Sequence, residues 1–178
     1  MTKSPTAYIL DTRTFVAGAL PSKLGDLYVT EGVLGEAQRT HRTMNRSVAL
    51  MEEGRLKKAQ AGKEDLRVVR EHTAEIGEAG RLSEVDLGVA AAALRMSRAG
   101  RSVVVVTDDY ALQNLLSRMK LRYQRVTHKG ISREVTYRYR CSVCGKLFDV
   151  PVDQCLDCGS PVERIRSKVK RITRDSSP

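Results

Sequence analysis

Short apolar runs alternate with stretches of helical periodicity from Ala7 to Val126. Ala7–Leu10 (AYIL) is continuous, ends at Asp11 and predicts a first strand. Leu27–Val29 reads as a short strand or as the lead into a helix. Leu34, Ala37, Met44, Val48 and Met51 recur at helical spacing, which predicts one helix over about Val33–Glu53, stopped by Gly54. Arg55–Ala61 predicts a short strand, and Lys63–Ala79 a charge-rich helix closed near Gly80. Glu84–Arg98 predicts a helix with Leu87, Ala91 and Leu94 on its apolar side, ending at Gly100. Val103–Val106 is four valines in a row, the pattern of a strand buried on both faces in a parallel sheet. Asp109–Met119 predicts a further helix and Tyr123–Val126 a last strand. Strands separated by helices imply an α/β domain with a doubly wound, mainly parallel sheet. Ligands of such sheets bind outside the carboxyl ends of the strands.

The chain has 178 residues and is 41% hydrophobic and 29% charged, enough to bury a core and long enough for one domain plus a small module. No apolar run approaches the ~20 residues that span a bilayer, and the start, MTKSPTAYILDTRTF, shows no secretory signal pattern. These features argue against a membrane, fibrous or typical secreted protein and lead us to expect a cytoplasmic one. Charge adds a partner. The net charge is +10; residues 1–119 carry 17 basic and 15 acidic side chains, residues 120–178 carry 14 and 6. The basic excess therefore lies in the last third and suggests a polyanionic partner there, a solubilising tail being the plainer account.

All four cysteines fall in that last third, as two Cys-x-x-Cys pairs: Cys141 and Cys144, then Cys155 and Cys158. Two such knuckles set four thiolates around a tetrahedral ion, and Gly145 and Gly159 permit the tight turn after each. We read Tyr137–Val169 as a zinc ribbon holding one structural Zn²⁺, since four sulfur ligands leave no open position for water.

Four acids sit where the sheet's crevice is expected. Asp11 follows the first strand, Asp109 and its neighbour Asp108 follow the valine strand, Asp86 lies in the first turn of the third predicted helix, and Glu36 near the start of the first. Crowded carboxylates repel one another unless cations neutralise them, and hard divalent ions such as Mg²⁺ or Mn²⁺ bind such oxygen-rich sites. Phosphodiester hydrolysis is the chemistry that uses them. Each acid also has a plainer account. Ser83-x-x-Asp86 fits a capping box, Asp108 or Asp109 a helix cap, Asp11 a turn anchor, and Glu36 a solvated face shared with Thr40, Thr43 and Ser47.

YILDTRTF, VLGEA, LSEVDLGVAAAAL and VVVVTDDYALQNLL, in this order, resemble the acidic motifs of PIN-domain nucleases. TDDYALQNLL followed by the paired Cys-x-x-Cys is similar, more narrowly, to the Nob endoribonucleases that mature the 3′ end of small-subunit ribosomal RNA, and the compact layout resembles their archaeal members. The resemblance covers about Tyr8 to Val162. It implies that Asp11, Glu36, Asp86 and Asp109 are catalytic and hold one or two Mg²⁺ or Mn²⁺ ions. Asp109 rather than Asp108 matches the family's acid, and Thr12, Thr107 and Asp108 would support the site. Arg13 stands where relatives usually have a small residue, and a guanidinium there would neutralise Asp11 or bind phosphate.

The expected organisation is a PIN-like nuclease domain over 1–128, a linker and zinc ribbon over 129–169, and a basic tail over 170–178. Arg133, Arg138, Arg140, Lys146, Arg164, Arg166 and Lys168 are candidate RNA contacts, since an acidic centre cannot itself attract RNA. Tyr137 and Tyr139 alternate with Arg138 and Arg140, so on a strand they take the opposite face, to pack the ribbon or to stack on bases. The resemblance implies an endoribonuclease acting on precursor ribosomal RNA within the nascent small subunit, alongside other assembly factors and with no membrane partner. The alternatives are a non-catalytic RNA-binding assembly factor and a toxin-type PIN ribonuclease.

Overall fold

The computed structural model describes residues 5–18, 25–38, 41–126 and 133–171, with the backbone alone of 41–42, 133–135 and 168–171. Strands β1 (Ala7–Leu10), β2 (Asp26–Thr30), β3 (Leu56–Ala59), β4 (Val103–Val106) and β5 (Tyr123–Gln124) form one sheet in the order β3-β2-β1-β4-β5. Every pairing in it is parallel. β1 and β4 are buried along their whole length, which is why both read as unbroken apolar runs. The edge strand β3 buries Leu56 and Ala59 and exposes Lys57 and Lys58, charges that discourage further pairing.

The intervening helices are α1 (Thr12–Ala17), α2 (Glu31–Ala37), α3 (His41–Glu52), α4 (Lys63–Glu75), α5 (Glu84–Arg98) and α6 (Tyr110–Arg118). α5 touches β1, β2 and β4 as well as α2, α4 and α6. That central position buries Ala90, Ala91, Ala92 and Ala93 completely, and only small side chains fit between the layers on all sides.

The single helix expected over Val33–Glu53 is two helices. α2 starts after Thr30, whose Oγ1 accepts from Val33 N at 3.4 Å, and ends at Gln38. The break rotates α3 so that Thr43, Ser47 and Leu50 are buried while Met44 and Val48 are exposed. Glu36 therefore shares no solvated face with Thr43 and Ser47; the Ser47 hydroxyl is satisfied by donating to Met44 O at 2.7 Å. Thr40 lies outside the described residues.

α4 also stops early, at a Schellman turn rather than near Gly80. Gly77 takes φ +68°, its N–H donates to Ala74 O, and Glu78 N donates to Thr73 O. This turn buries Glu78 and presents two carbonyls to the C-terminal module. There β6 (Arg133–Cys141), β7 (Leu147–Phe148) and β8 (Val162–Arg171) form an antiparallel sheet in the order β7-β6-β8, with a bulge at Thr136/Tyr137. β8 runs past residue 170, into the segment read from sequence as tail; 172–178 lie outside the described residues.

The module is docked on the α4–α5 turn. Tyr137 N donates to Ile76 O at 2.8 Å, and the Tyr139 hydroxyl and Arg164 Nε donate to Gly77 O at 3.2 and 3.3 Å. Arg164 lies over the Tyr137 ring at 3.3 Å, and its Nη2 reaches Glu78 Oε2 at 2.8 Å, an ion pair too bent to be a hydrogen bond. Arg81 Nε, at 3.5 Å, and Asn114 of α6 also touch the Glu78 carboxylate. A Cβ on Gly77 would come within 2.4 Å of Tyr137 O, so nothing larger than glycine fits under β6. Removing one partner of a buried pair strands the other. Glu78→Ala is therefore expected to lower stability by about 3 kcal/mol, read from urea denaturation, with Glu78→Gln losing less.

Candidate active site

β1 and β4 are neighbours from which the chain departs to opposite sides of the sheet, so the crevice opens at their carboxyl ends. Asp11 leaves β1 there. Its N–H donates to Val106 O at 3.2 Å, and its Oδ1 caps α1 by accepting from Thr14 N at 2.7 Å. Asp109 leaves β4 and caps α6, its Oδ1 accepting from Ala111 N at 2.7 Å and Leu112 N at 2.9 Å. Its own N–H donates to Oγ1 of Thr107, which is fully buried. Gln113 is equally buried and donates from Nε2 to Thr107 O, locking the β4–α6 turn.

Glu36 is joined to this edge through Thr12, whose hydroxyl donates to Glu36 Oε2 at 2.6 Å. Asp86 behaves differently. Its Oδ2 accepts from Ser83 N at 3.0 Å and Ser83 Oγ at 2.7 Å, while Ser83 Oγ accepts from Asp86 N, which completes the capping box. The start of α5 rests against α2, with Val85 over Gly32. The structure thus brings Asp11, Glu36 and Asp109 to one edge and turns Asp86 onto its own cap. Among the described residues, the four acids do not draw their oxygens into one tight cluster.

The donor set nonetheless suits a hard cation. Asp11 and Asp109 are each oriented through Oδ1 alone, and among the described residues no hydrogen bond reaches either Oδ2. Asp11, Glu36 and Asp109 would hold Mg²⁺ or Mn²⁺ through such oxygens. Arg13 is exposed and makes no ion pair with Asp11 among the described residues.

Sequence reasoning placed Asp108 in this site, but its carboxylate accepts from Val126 N at 3.1 Å and meets Arg125 Nε at 3.4 Å. Arg125 was missed altogether. Its side chain is 4% exposed and lies over the Tyr110 ring at 4.5 Å. No local signal marks it, because its partners come from the other end of α6 and from the loop after β4.

The four cysteines do form a tight cluster, with their sulfurs all within 4.8 Å of one another. Cys141 and Cys158 approach to 3.5 Å, as do Cys144 and Cys155. Sulfurs around a tetrahedral zinc ion at about 2.3 Å would be about 3.8 Å apart. Val143 N and Cys144 N both donate to Cys141 Sγ, and Gly145 and Gly159 take positive φ after each knuckle, as expected. Hydrogen bonds from the Ser160 hydroxyl and N–H, then Cys141, bring the Cys158 thiol down to about 6. The Lys146 N–H favours a Cys144 thiolate, yet hydrogen bonding with Cys141 and Cys155 pushes that thiol up to about 12. Four thiols crowded in this way resist full ionisation, and a divalent cation removes the resistance.

Several cations expected to face RNA are paired with carboxylates of the chain itself. Arg164 is the clamp to Glu78, Arg138 pairs with Asp149 at 2.8 Å, and Lys146 with Asp157 at 2.6 Å. Arg140 and Arg166 are exposed. The side chains of Arg133 and Lys168 lie outside the described residues, though both backbones belong to the β6–β8 ladder. Tyr139 is buried against Gly77 and Tyr137 lies under Arg164, so both tyrosines pack.

Comparison with known proteins agrees with this architecture. Residues 8–96 match the PIN domain of ribonuclease. Ribonuclease VapC1 of Thermoplasma acidophilum is 32% identical over 94% of this chain and 82% of its own. Endoribonuclease Nob1 of Methanothermobacter thermautotrophicus is 31% identical over 90% of this chain and 93% of its own. Its counterpart from Pyrococcus abyssi is 33% identical over 88% and 92%. With its parallel sheet, its acids at the β1 and β4 ends and its appended four-cysteine ribbon, this chain belongs to the PIN-domain family of ribonucleases.

Proposed function

We propose that the chain is a Mg²⁺- or Mn²⁺-dependent endoribonuclease that cuts precursor small-subunit ribosomal RNA at its 3′ end. The observation that carries the reading is the pair of helix-capping carboxylates, Asp11 and Asp109, at the ends of adjacent central strands. A cation held there would supply a water of lowered pKa and neutralise charge on the phosphate. Asp11 and Asp109 would hold it from two rigid strand ends, while Thr12 and Thr107 fix Glu36 and the Asp109 backbone. The ribbon, with one structural zinc, lies beside α6 and offers Arg140 and Arg166 to phosphates. Ribosomal RNA is favoured because the Nob1 relatives align over nearly their whole length. The toxin-type reading is kept alive by the VapC1 relative, which aligns over 94% of this chain.

A short RNA spanning the mature 3′ end, incubated with and without Mn²⁺ and mapped for its cut, tests the proposal. One Mn²⁺-dependent cut at the mature end is expected. Equal cutting of transfer or messenger RNA would instead favour the toxin-type reading, and RNA binding with no cut at all the non-catalytic assembly factor.

A further inference from the structure

Tyr110 directly follows Asp109 and opens α6. The chain has six tyrosines and two phenylalanines, and among them Tyr110 alone is exposed, at 59%. The others fill the core, pack on the ribbon dock or lie half-covered at its edge. A largely exposed aromatic ring gains little from folding, yet this one is held in place. The Arg125 guanidinium lies 4.5 Å from its centroid, and Arg125 Nη1 donates to the tyrosine hydroxyl at 3.3 Å. Arg125 is in turn held by Asp108, through the carboxylate at 3.4 Å and the carbonyl at 3.4 Å. The run Asp108-Asp109-Tyr110 therefore places a brace, a cation ligand and a ring side by side.

We propose that Tyr110 is a stacking platform for an unpaired nucleobase of the RNA, beside the phosphate that is cut. The inference rests on the ribonuclease reading above and adds to it a base-binding position. Stacking suits this place because every base has a π-face, so a ring can steady the strand without reading its sequence. It also supplies an attraction that the acids cannot. The Arg125 brace holds the ring before RNA arrives, so little side-chain freedom is lost on binding.

The test uses the full chain carrying Asp11→Asn, which binds without cutting. Short single-stranded RNAs carry 2-aminopurine at successive positions around the cut, and anisotropy reads affinity while quenching reads stacking. Quenching at one position is expected. Tyr110→Ala abolishes it and weakens binding about tenfold, whereas Tyr110→Phe retains both. In the cutting enzyme, Tyr110→Ala raises KM about tenfold with little change in kcat, because the ring steadies substrate and transition state alike. Affinity and quenching unchanged in Tyr110→Ala overturn the platform and leave the ring as a contact for a protein. Quenching by a chain that never cuts keeps the platform and removes the hydrolytic reading instead.

Discussion

Asp109→Asn stops RNA cleavage, by roughly a thousandfold or more, in a protein that still folds and still binds RNA. Asparagine preserves the shape of the cap. Its Oδ1 still accepts from Ala111 N and Leu112 N, so α6 keeps its start and β4 its exit. What disappears is the negative charge that would hold the proposed cation. Asp109→Ala removes charge and cap together and costs about 1 kcal/mol of stability besides. The comparison therefore separates catalysis from folding. Kinetics with Mn²⁺, RNA anisotropy and a thermal melt give the three readouts. Undiminished cutting by folded Asp109→Asn protein would falsify the hydrolytic mechanism. Asp86→Asn offers a graded contrast. Asp86 already serves the Ser83 cap, and asparagine can keep that bond, so any loss of cleavage reports a direct catalytic share.

Removing zinc has the second largest expected effect. The knuckles bury little apolar surface: Val143 and Leu156, inside the two Cys-x-x-Cys pairs, are 73% and 81% exposed. The metal therefore replaces a hydrophobic core, and structural zinc sites contribute on the order of 10 kcal/mol to folding. Chelation, or Cys141→Ser, is expected to disorder residues 141–161 and loosen the adjoining end of the β6–β8 ladder, which carries Arg140 and Arg166, lowering RNA affinity about tenfold or more. The parallel sheet and its helices stay folded, since their core includes no ribbon residue. Helical circular dichroism should hold while RNA binding falls. Loss of the helical signal on chelation would show that ribbon and nuclease domain fold as one unit, with the Glu78–Arg164 clamp as the obvious coupling.

The clamp changes how the ribbon is understood. A tethered ribbon would add affinity through effective concentration alone, with reach set by its linker. Docking through Ile76, Gly77 and Glu78 instead holds β6 against α6, the helix that Asp109 caps. On the proposed function, the grip on RNA and the site of cutting then keep a constant separation.

Much of this was legible in the chain. AYIL and VVVV announced β1 and β4 because strands buried on both faces carry apolar residues at every position. Ser83 and Gly100 marked the ends of α5, and the cysteine spacing marked the metal site, because capping and ligation are local chemistry. Residues 38–40 carry no glycine or proline, so nothing local signalled the break between α2 and α3 or the inward turn of Thr43 and Ser47. The helix stop was read at Gly80; only the close approach of Tyr137, from far along the chain, makes Gly77 necessary.

The sequence by itself determined the parallel sheet, the acids at its strand ends and the thiolate cluster, since each depends on neighbours within a few residues. Tertiary structure alone decided which basic side chains are paired with the chain's own carboxylates, that Asp108 faces Arg125, and that Tyr110 stands open beside Asp109. Those outcomes depend on pairings such as Glu78 with Arg164, far apart along the chain, whose charges gain or lose by burial only once the fold has brought them together.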